Sequence, residues 1–181
     1  SLLTVSKLKD SMVKPKKTSD ALSDWLYHLE WEEANLPGTN SDPGKWLLLA
    51  NNGNLAKSVI SIMKMAGHDV HVASSADTAV EFLSSKKSQG LIGILHLWGT
   101  DVSEDNPDVP LLESLKVVQS LIKNSGSGKH WFVTKGAQAV VSRDSVSPWQ
   151  SQFWGFGRAL QVENPGAYGG CVDLDPTVDK T

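Results

Sequence analysis

The stretch KWLLLANNGNLAKSVISIMKMAGHDVHVAS, Lys45 to Ser74, restricts the fold more than any other part of this chain. Trp46 to Ala50 is a short continuous apolar run, as in strands covered on both faces by helices. Behind it, Asn54 is placed to cap a helix whose apolar positions Leu55, Val59, Ile60, Met63 and Ala66 share one face, and Gly67 ends that helix. Asp69 to Ala73 then alternates through Val70 and Val72 as a second strand. Strand, turn, helix and strand in this order begin a nucleotide-binding βαβ unit.

The pattern repeats downstream. Ser75 or Asp77 opens a helix carrying Val80 and Leu83 and finishing at Lys86 and Lys87, where cations suit the helix dipole. Leu91 to Trp98 reads as a third buried strand. After the acidic loop GTDVSEDNPD, Leu111, Leu112, Leu115, Val118 and Ile122 form a helical stripe that GSG terminates. Trp131 to Thr134 is a fourth strand. In the last segment Ser147 is the expected N-cap, Pro148 suits the first helical position and Gln150 completes a capping box. Trp149, Phe153, Gly157 and Leu160 lie on one stripe of that helix. Gly155 and Gly157 each cost about 1 kcal/mol relative to alanine in a helix interior, so at least one is expected to face a closely packed neighbour. Pro165 and Gly166 stop the helix, and Gly170 to Leu174 is the final strand. Repeated strand-helix-strand passages predict an α/β fold, Rossmann-like and truncated, with a mostly parallel sheet and helices on both faces.

The N-terminal part has a different texture. KLKDSMVKPKKTSDALSD is polar, with Lys7, Lys9, Lys14, Lys16 and Lys17 around Pro15, so residues 1–24 read as a linker; a basic docking arm is the rival reading. DWLYHLEWEE follows, in which Tyr27, Leu29 and Trp31 alternate with His28 and Glu30 as a half-buried strand, and LPGTNSDPG must be a loop. A net charge of −3 gives no general attraction to nucleic acid or to an anionic membrane. The absence of a bilayer-length apolar run leads to the expectation of a cytoplasmic protein. The single cysteine, Cys171, is expected to be a small core hydrophobe.

The βαβ turn is the first place to look for chemistry. A dinucleotide site needs G-x-G-x-x-G so that backbone approaches the pyrophosphate, and an acid about 20 residues on for the ribose. ANNGNLA has Gly53 alone, and the second strand runs into Ala73-Ser74-Ser75 with no acid. Ketone reduction of the short-chain type needs a tyrosine with a lysine four residues later; Tyr27 is followed there by Trp31 and Tyr168 by Val172. Asp173 and Asp175 flank Leu174 as strand-end acids with no further cation ligands nearby. His96, inside ILHLW, is expected to be a hydrogen-bonded core histidine. Lys135 stands where a phospho-receiver keeps a lysine, but ANN and WGTD supply at best Asp101 of the acids a receiver needs.

Five fragments carry a resemblance: LYHLEW at Leu26 to Trp31, HLWG at His96 to Gly99, VTKGAQAV at Val133 to Val140, WGFGRALQVENP at Trp154 to Pro165 and GGCVDLDP at Gly169 to Pro176. In order and spacing the chain from Trp25 to Pro176 is similar to the structural subdomain of ketoreductases in modular type I polyketide synthases. In that family two Rossmann-like halves stand in tandem. The truncated first half binds no cofactor and braces the second, which carries the NADPH glycines and the catalytic Ser, Tyr and Lys. The resemblance implies that residues 25–181 form such a noncatalytic subdomain with no cofactor of its own, NADPH belonging to the catalytic half of the parent. It implies as partners that catalytic half and neighbouring dehydratase, enoylreductase or methyltransferase domains of the same polypeptide, with no nucleic acid and no membrane. It marks Tyr27, Trp31, Trp98, Trp154, Gly155, Gly157, Arg158, Asp173 and Asp175 as a structural motif, with no catalytic, cofactor or metal ligand among them. Asn164 stands where a histidine is common, and Ala167-Tyr168 where a Leu-Trp pair is common. The rival functions are an active NADPH-dependent reductase with an unrecognised site and a receiver-like signalling module.

Overall fold

The computed structural model of the chain describes residues 2–7, 27–35, 42–102, 104–105, 108–124, 128–141 and 144–177. They fall into two compact units, Ser1–Ser41 and Asp42–Thr181. In the first, strand β1 (Leu2–Lys7) pairs antiparallel with β2 (Tyr27–Glu32), from Leu2 opposite Glu32 to Lys7 opposite Tyr27. The linker expected over residues 1–24 therefore opens with a strand, and the alternation of Leu3 and Val5 with Thr4 and Ser6 is its sequence signal. The rest of the basic stretch, residues 8–26, and most of the Pro/Gly loop after β2 lie outside the described residues.

The second unit holds β3 (Lys45–Leu49), α1 (Asn54–Met65), β4 (Asp69–Ala73), α2 (Ala76–Ser84), β5 (Leu91–His96), α3 (Val109–Lys123), β6 (Lys129–Lys135), α4 (Pro148–Glu163) and β7 (Tyr168–Leu174). Its five strands lie in the order β4-β3-β5-β6-β7, with every neighbouring pair parallel. Right-handed crossovers send α1 to one face and α2, α3 and α4 to the other. The core divides accordingly. Leu48, Ala50, Ala56 and Val133 gather under α1. Leu47, Leu49, Ile94, Phe82, Val117 and Leu121 pack beneath α2 and α3, and Phe132, Phe153 and Leu160 beneath α4.

Several local expectations hold. Ser75 caps α2 through a reciprocal box with Thr78. Gly67 sits at φ 87° after α1, where its N–H donates to Lys64 O and that of His68 to Met63 O, an ending only a left-handed residue allows. Pro148 opens α4.

Others are corrected. Gly53, not Asn54, is the N-cap of α1. Lys86 and Lys87 are not in the last turn of α2; they occupy a separate 3₁₀ turn, Lys86–Ser88. Trp98 lies beyond the end of β5, in the 3₁₀ turn Trp98–Asp101. Gln150 does not close a capping box, because its side chain points back into the protein and accepts a hydrogen bond from Lys135 N–H at 2.5 Å. The core-facing side of α3 is Ser114, Val117, Val118, Ser120 and Leu121. Leu112, Leu115 and Ile122 of the expected stripe point outward, because α3 is apolar on two sides and periodicity does not say which side meets the sheet.

Candidate functional site

In an open α/β sheet the ligand crevice lies at the strand tips where the chain reverses direction across the sheet. Here that point falls between β3 and β5, since the chain steps outward to β4 and then returns past β3. A cavity of about 340 Å³ opens there, lined among others by Asn51, Ser74, Trp98, Asp101 and Glu113. The Asn51 side-chain amide donates to Asp101 at 2.8 Å across it. Glu113 accepts from Ala76 N–H at 3.1 Å, and its bond to Lys116 at 2.6 Å holds its carboxyl below the usual range. Two carboxylates on the walls oppose a pyrophosphate. Gly53 has φ −69° and ψ 164°, and a Cβ added to it would touch nothing within 4 Å. It therefore does not form the tight, Cβ-excluding turn that a dinucleotide site needs.

Trp154 and Asp173 of the motif meet at the tips of β6 and β7, toward the β7 edge of the sheet. The Trp154 indole N–H donates to Thr134 Oγ1 at 2.9 Å, and the Thr134 hydroxyl donates to Asp173 Oδ1 at 2.7 Å. Asp173 also accepts from Ala137 N–H at 2.9 Å and from Gln138 N–H at 3.0 Å. Ser151 Oγ donates to Ala137 O at 2.7 Å, so the turn after β6 is tied to α4 as well as to β7. One carboxylate thus joins three elements through donors that have few alternatives. Asp175 is separate: it accepts from Thr177 N–H and Oγ1, which hold its carboxyl below the usual range. Both acids nevertheless line one open cavity of about 500 Å³ beside the turn after β6.

Gly157 faces β7, where an added Cβ would come within 2.6 Å of Cys171 Sγ and 3.4 Å of Tyr168. Cys171 is half-buried against the cluster under α4 rather than sealed within it. Burial raises the pKa of the Cys171 thiol and, with the bond to Cys171 Sγ, pushes that of Tyr168 up to about 12. Both side chains stay neutral. Gly155, by contrast, points to solvent with nothing within 4 Å, so Gly157 is the glycine that meets the packed neighbour expected of at least one of them, while Trp149, 38% exposed, does not share the packed side expected of it. Arg158 is exposed, and its charge reaches Tyr168 and Cys171. Trp31 is half-buried in β2; the Tyr27 side chain lies outside the described residues.

His96 is fully buried and shares a 2.7 Å hydrogen bond with Ser114 Oγ, as a core histidine should. Trp98 packs edge-on against it. Sequence reasoning passed over Thr134 and His130 and gave Gln150 only a local capping role. A threonine ending an apolar strand and a glutamine at a helix start carry no signal of long-range pairing.

Replacing Asp173 by alanine is expected to lower the unfolding free energy by about 2 kcal/mol, because it strands the donors of Ala137 and Gln138. Trp154→Phe, which removes one N–H, is expected to cost about 1 kcal/mol. Urea unfolding of both single variants and the double should show less than additive loss, since the residues share one network. Strict additivity would mean that Thr134 does not connect them.

Residues 29–181 match the family model described as polyketide synthase extender module SpnB, Rossmann fold domain. The chain is 29% identical to polyketide synthase GfsA of Streptomyces halstedii and to erythronolide synthase EryA3 of Saccharopolyspora erythraea, over 86% and 87% of its length. It spans 2% and 5% of those two proteins. In fold it resembles solved A-type ketoreductases from modular polyketide synthases, with a TM-score of 0.67 and 22% identity over 84% of this chain and 35% of theirs. The first ketoreductase of the tylosin synthase aligns over 73% of this chain and 31% of its own, at a TM-score of 0.61 and 25% identity.

Proposed function

Since this chain belongs to the Rossmann fold domain family of polyketide synthase extender modules, we propose that it is the noncatalytic, structural half of a ketoreductase or pseudo-ketoreductase. In this reading it braces a catalytic half that binds NADPH elsewhere in a polyketide synthase polypeptide. The observation that carries the bracing role is the outer side of α3. Val109 is 60% exposed and Leu112 58%, and Leu115 and Ile122 follow on the same outward side. A helix apolar on both sides lacks a neighbour on one of them. The solved ketoreductase chains are about three times as long as the part matched here, which leaves ample polypeptide to supply that neighbour. The noncatalytic role rests on the crevice at β3 and β5, where Asp101 and Glu113 stand in place of a phosphate-binding turn.

Two results are expected. Calorimetric titration of the chain with NADPH gives no saturable heat, and one-to-one micromolar binding would reinstate the reductase reading. In a polypeptide carrying both halves, Leu112→Asp lowers ketone reduction at least tenfold. In the present chain alone the same change shifts stability by less than about 0.5 kcal/mol, as at an ordinary surface position. Undiminished reduction by the Leu112→Asp enzyme would remove α3 from the bracing surface.

A further inference from the structure

The two edges of the five-stranded sheet differ. At β7 the ladder is broken by a register shift between His130 and Trp131, where Gly169 is the extra residue between their partners Tyr168 and Gly170, a device that keeps foreign strands from adding. At β4 the ladder to β3 runs without interruption from Asp69 to Ala73, and the strand DVHVA contains no lysine, proline or bulge. Asp69 N–H donates to Gly44 O, and Ala73 O accepts from Ala50 N–H. Residues 69, 71 and 73 thus turn their main-chain groups toward β3, and Val70 and Val72 turn theirs away from it. No described residue pairs with those outward groups. Val72 is 42% exposed, and an open groove of about 310 Å³ runs beside the strand between His71, Val72, Phe82 and Lys87.

We propose that this edge is an interface with a second copy of the chain, formed by antiparallel addition of β4 to β4 about a two-fold axis at His71. The register is self-complementary. With His71 opposite its mate, Val70 of each copy lies opposite Val72 of the other, and these are the residues whose N–H and C=O face outward. Each Val70–Val72 pair then exchanges both main-chain hydrogen bonds of an antiparallel ladder. Val70 and Val72 also share the α1 side of the sheet, so the same register sets the exposed Val72 against an apolar cross-strand neighbour. His71 lies on the opposite side, stacked on Phe82 at 4.2 Å and already held in place. The same patch serves both copies, as an isologous contact requires, and no charged side chain is opposed to a like charge, since Asp69 falls opposite Ala73.

The proposal is tested with the 181-residue chain and its Val72→Pro variant. Proline at 72 removes an outward N–H and leaves the bonds to β3 intact, because residue 72 makes none there. Sedimentation equilibrium from low micromolar to several hundred micromolar is expected to show a monomer–dimer equilibrium. Val72→Pro should raise its dissociation constant at least tenfold while far-ultraviolet circular dichroism stays unchanged. Amide exchange gives an independent reading, decisive if the proline variant fails to fold: the Val70 and Val72 N–H groups should be protected in the dimer and exchange freely in the monomer. A monomer at every concentration, a dimer that Val72→Pro leaves intact, or free exchange of these two amides in the dimer would each overturn the proposal.

Discussion

Acidifying the chain from pH 7 to pH 4.5 lowers its unfolding free energy by about 3 kcal/mol through His130 alone. His130 is fully buried against Phe132, with ring centroids 4.4 Å apart, and none of the described residues offers either ring nitrogen a hydrogen bond. Burial lowers its pKa to about 3. His96, 5.6 Å away between ring centroids, is lowered in the same direction by burial and then by His130. The unfolded chain binds a proton at each imidazole below pH about 6.5, and the folded chain does not until far lower pH. Stability is therefore fully present above the unfolded value and falls by about 1.4 kcal/mol per pH unit and per histidine as pH drops below it. The decline attributable to His130 ends near its folded value. The half-buried Glu113 and the exposed Asp175 add a loss of the same sign only at more acid pH, as their lowered values require.

Urea unfolding at a series of pH values measures the slope. His130→Leu keeps the volume nearly constant and removes two nitrogens without partners. It should be close to neutral at pH 7 and should remove the His130 share of the acid slope. An unchanged slope in that variant would show that the proton uptake lies elsewhere.

Gly157→Leu is expected to destabilise the domain by about 3 kcal/mol, at the upper end of what overpacking costs. The first atom added already meets Cys171 Sγ at 2.6 Å, and Phe132, at 3.5 Å, is itself sealed in the core and has no room to retreat. Gly155→Ala, two residues away on the solvent side, should instead raise stability by about 1 kcal/mol, the difference in helix propensity. Opposite signs at neighbouring glycines are a sharp test. Should both variants gain stability, α4 does not press on β7 as described. Gly157→Ala with Cys171→Ala in the same chain separates the clash from other effects, since removing the sulfur should recover much of the loss.

The order of elements from β2 onward was legible in the sequence, because burial on two sides demands continuous apolar strands and burial on one side demands helical stripes. Trp46 to Ala50 and the α1 positions Leu55, Val59, Ile60 and Met63 followed from that rule, while Ala66 is the exposed C-cap and the buried Ala56 lay outside the stripe. The Pro148 start followed from proline's fixed φ. α3 escaped the rule. Leu112, Leu115 and Ile122 of its expected stripe lie on the bare outer side, whereas the sheet side is made with Ser114, Val117, Val118, Ser120 and Leu121. Hydrophobic spacing finds an apolar face but not the object that covers it. β1 was missed for a different reason: six alternating residues beside a long basic stretch were averaged into it. For the site, the missing glycines in ANNGNLA were plain. Which of two glycines in WGFGR meets a wall was not, because two residues on a helix differ by 200° in direction and only the position of β7 chooses between them.

By itself, then, the sequence determined that a parallel α/β sheet forms, that its first turn lacks the glycines of a dinucleotide site, and that helices start at Ser75 or Asp77 and at Pro148. These are local matters, set by side-chain period, backbone freedom and capping within a few residues. Tertiary structure alone decided that Asp173 serves Thr134 and the turn at Ala137 rather than Asp175, that Gln150 turns inward to Lys135, and that two neutral histidines meet beneath α3 and α4. Each of these joins residues 15 to 39 positions apart or on adjacent strands. Their partners are fixed by the order and register of the strands, which no window of sequence contains.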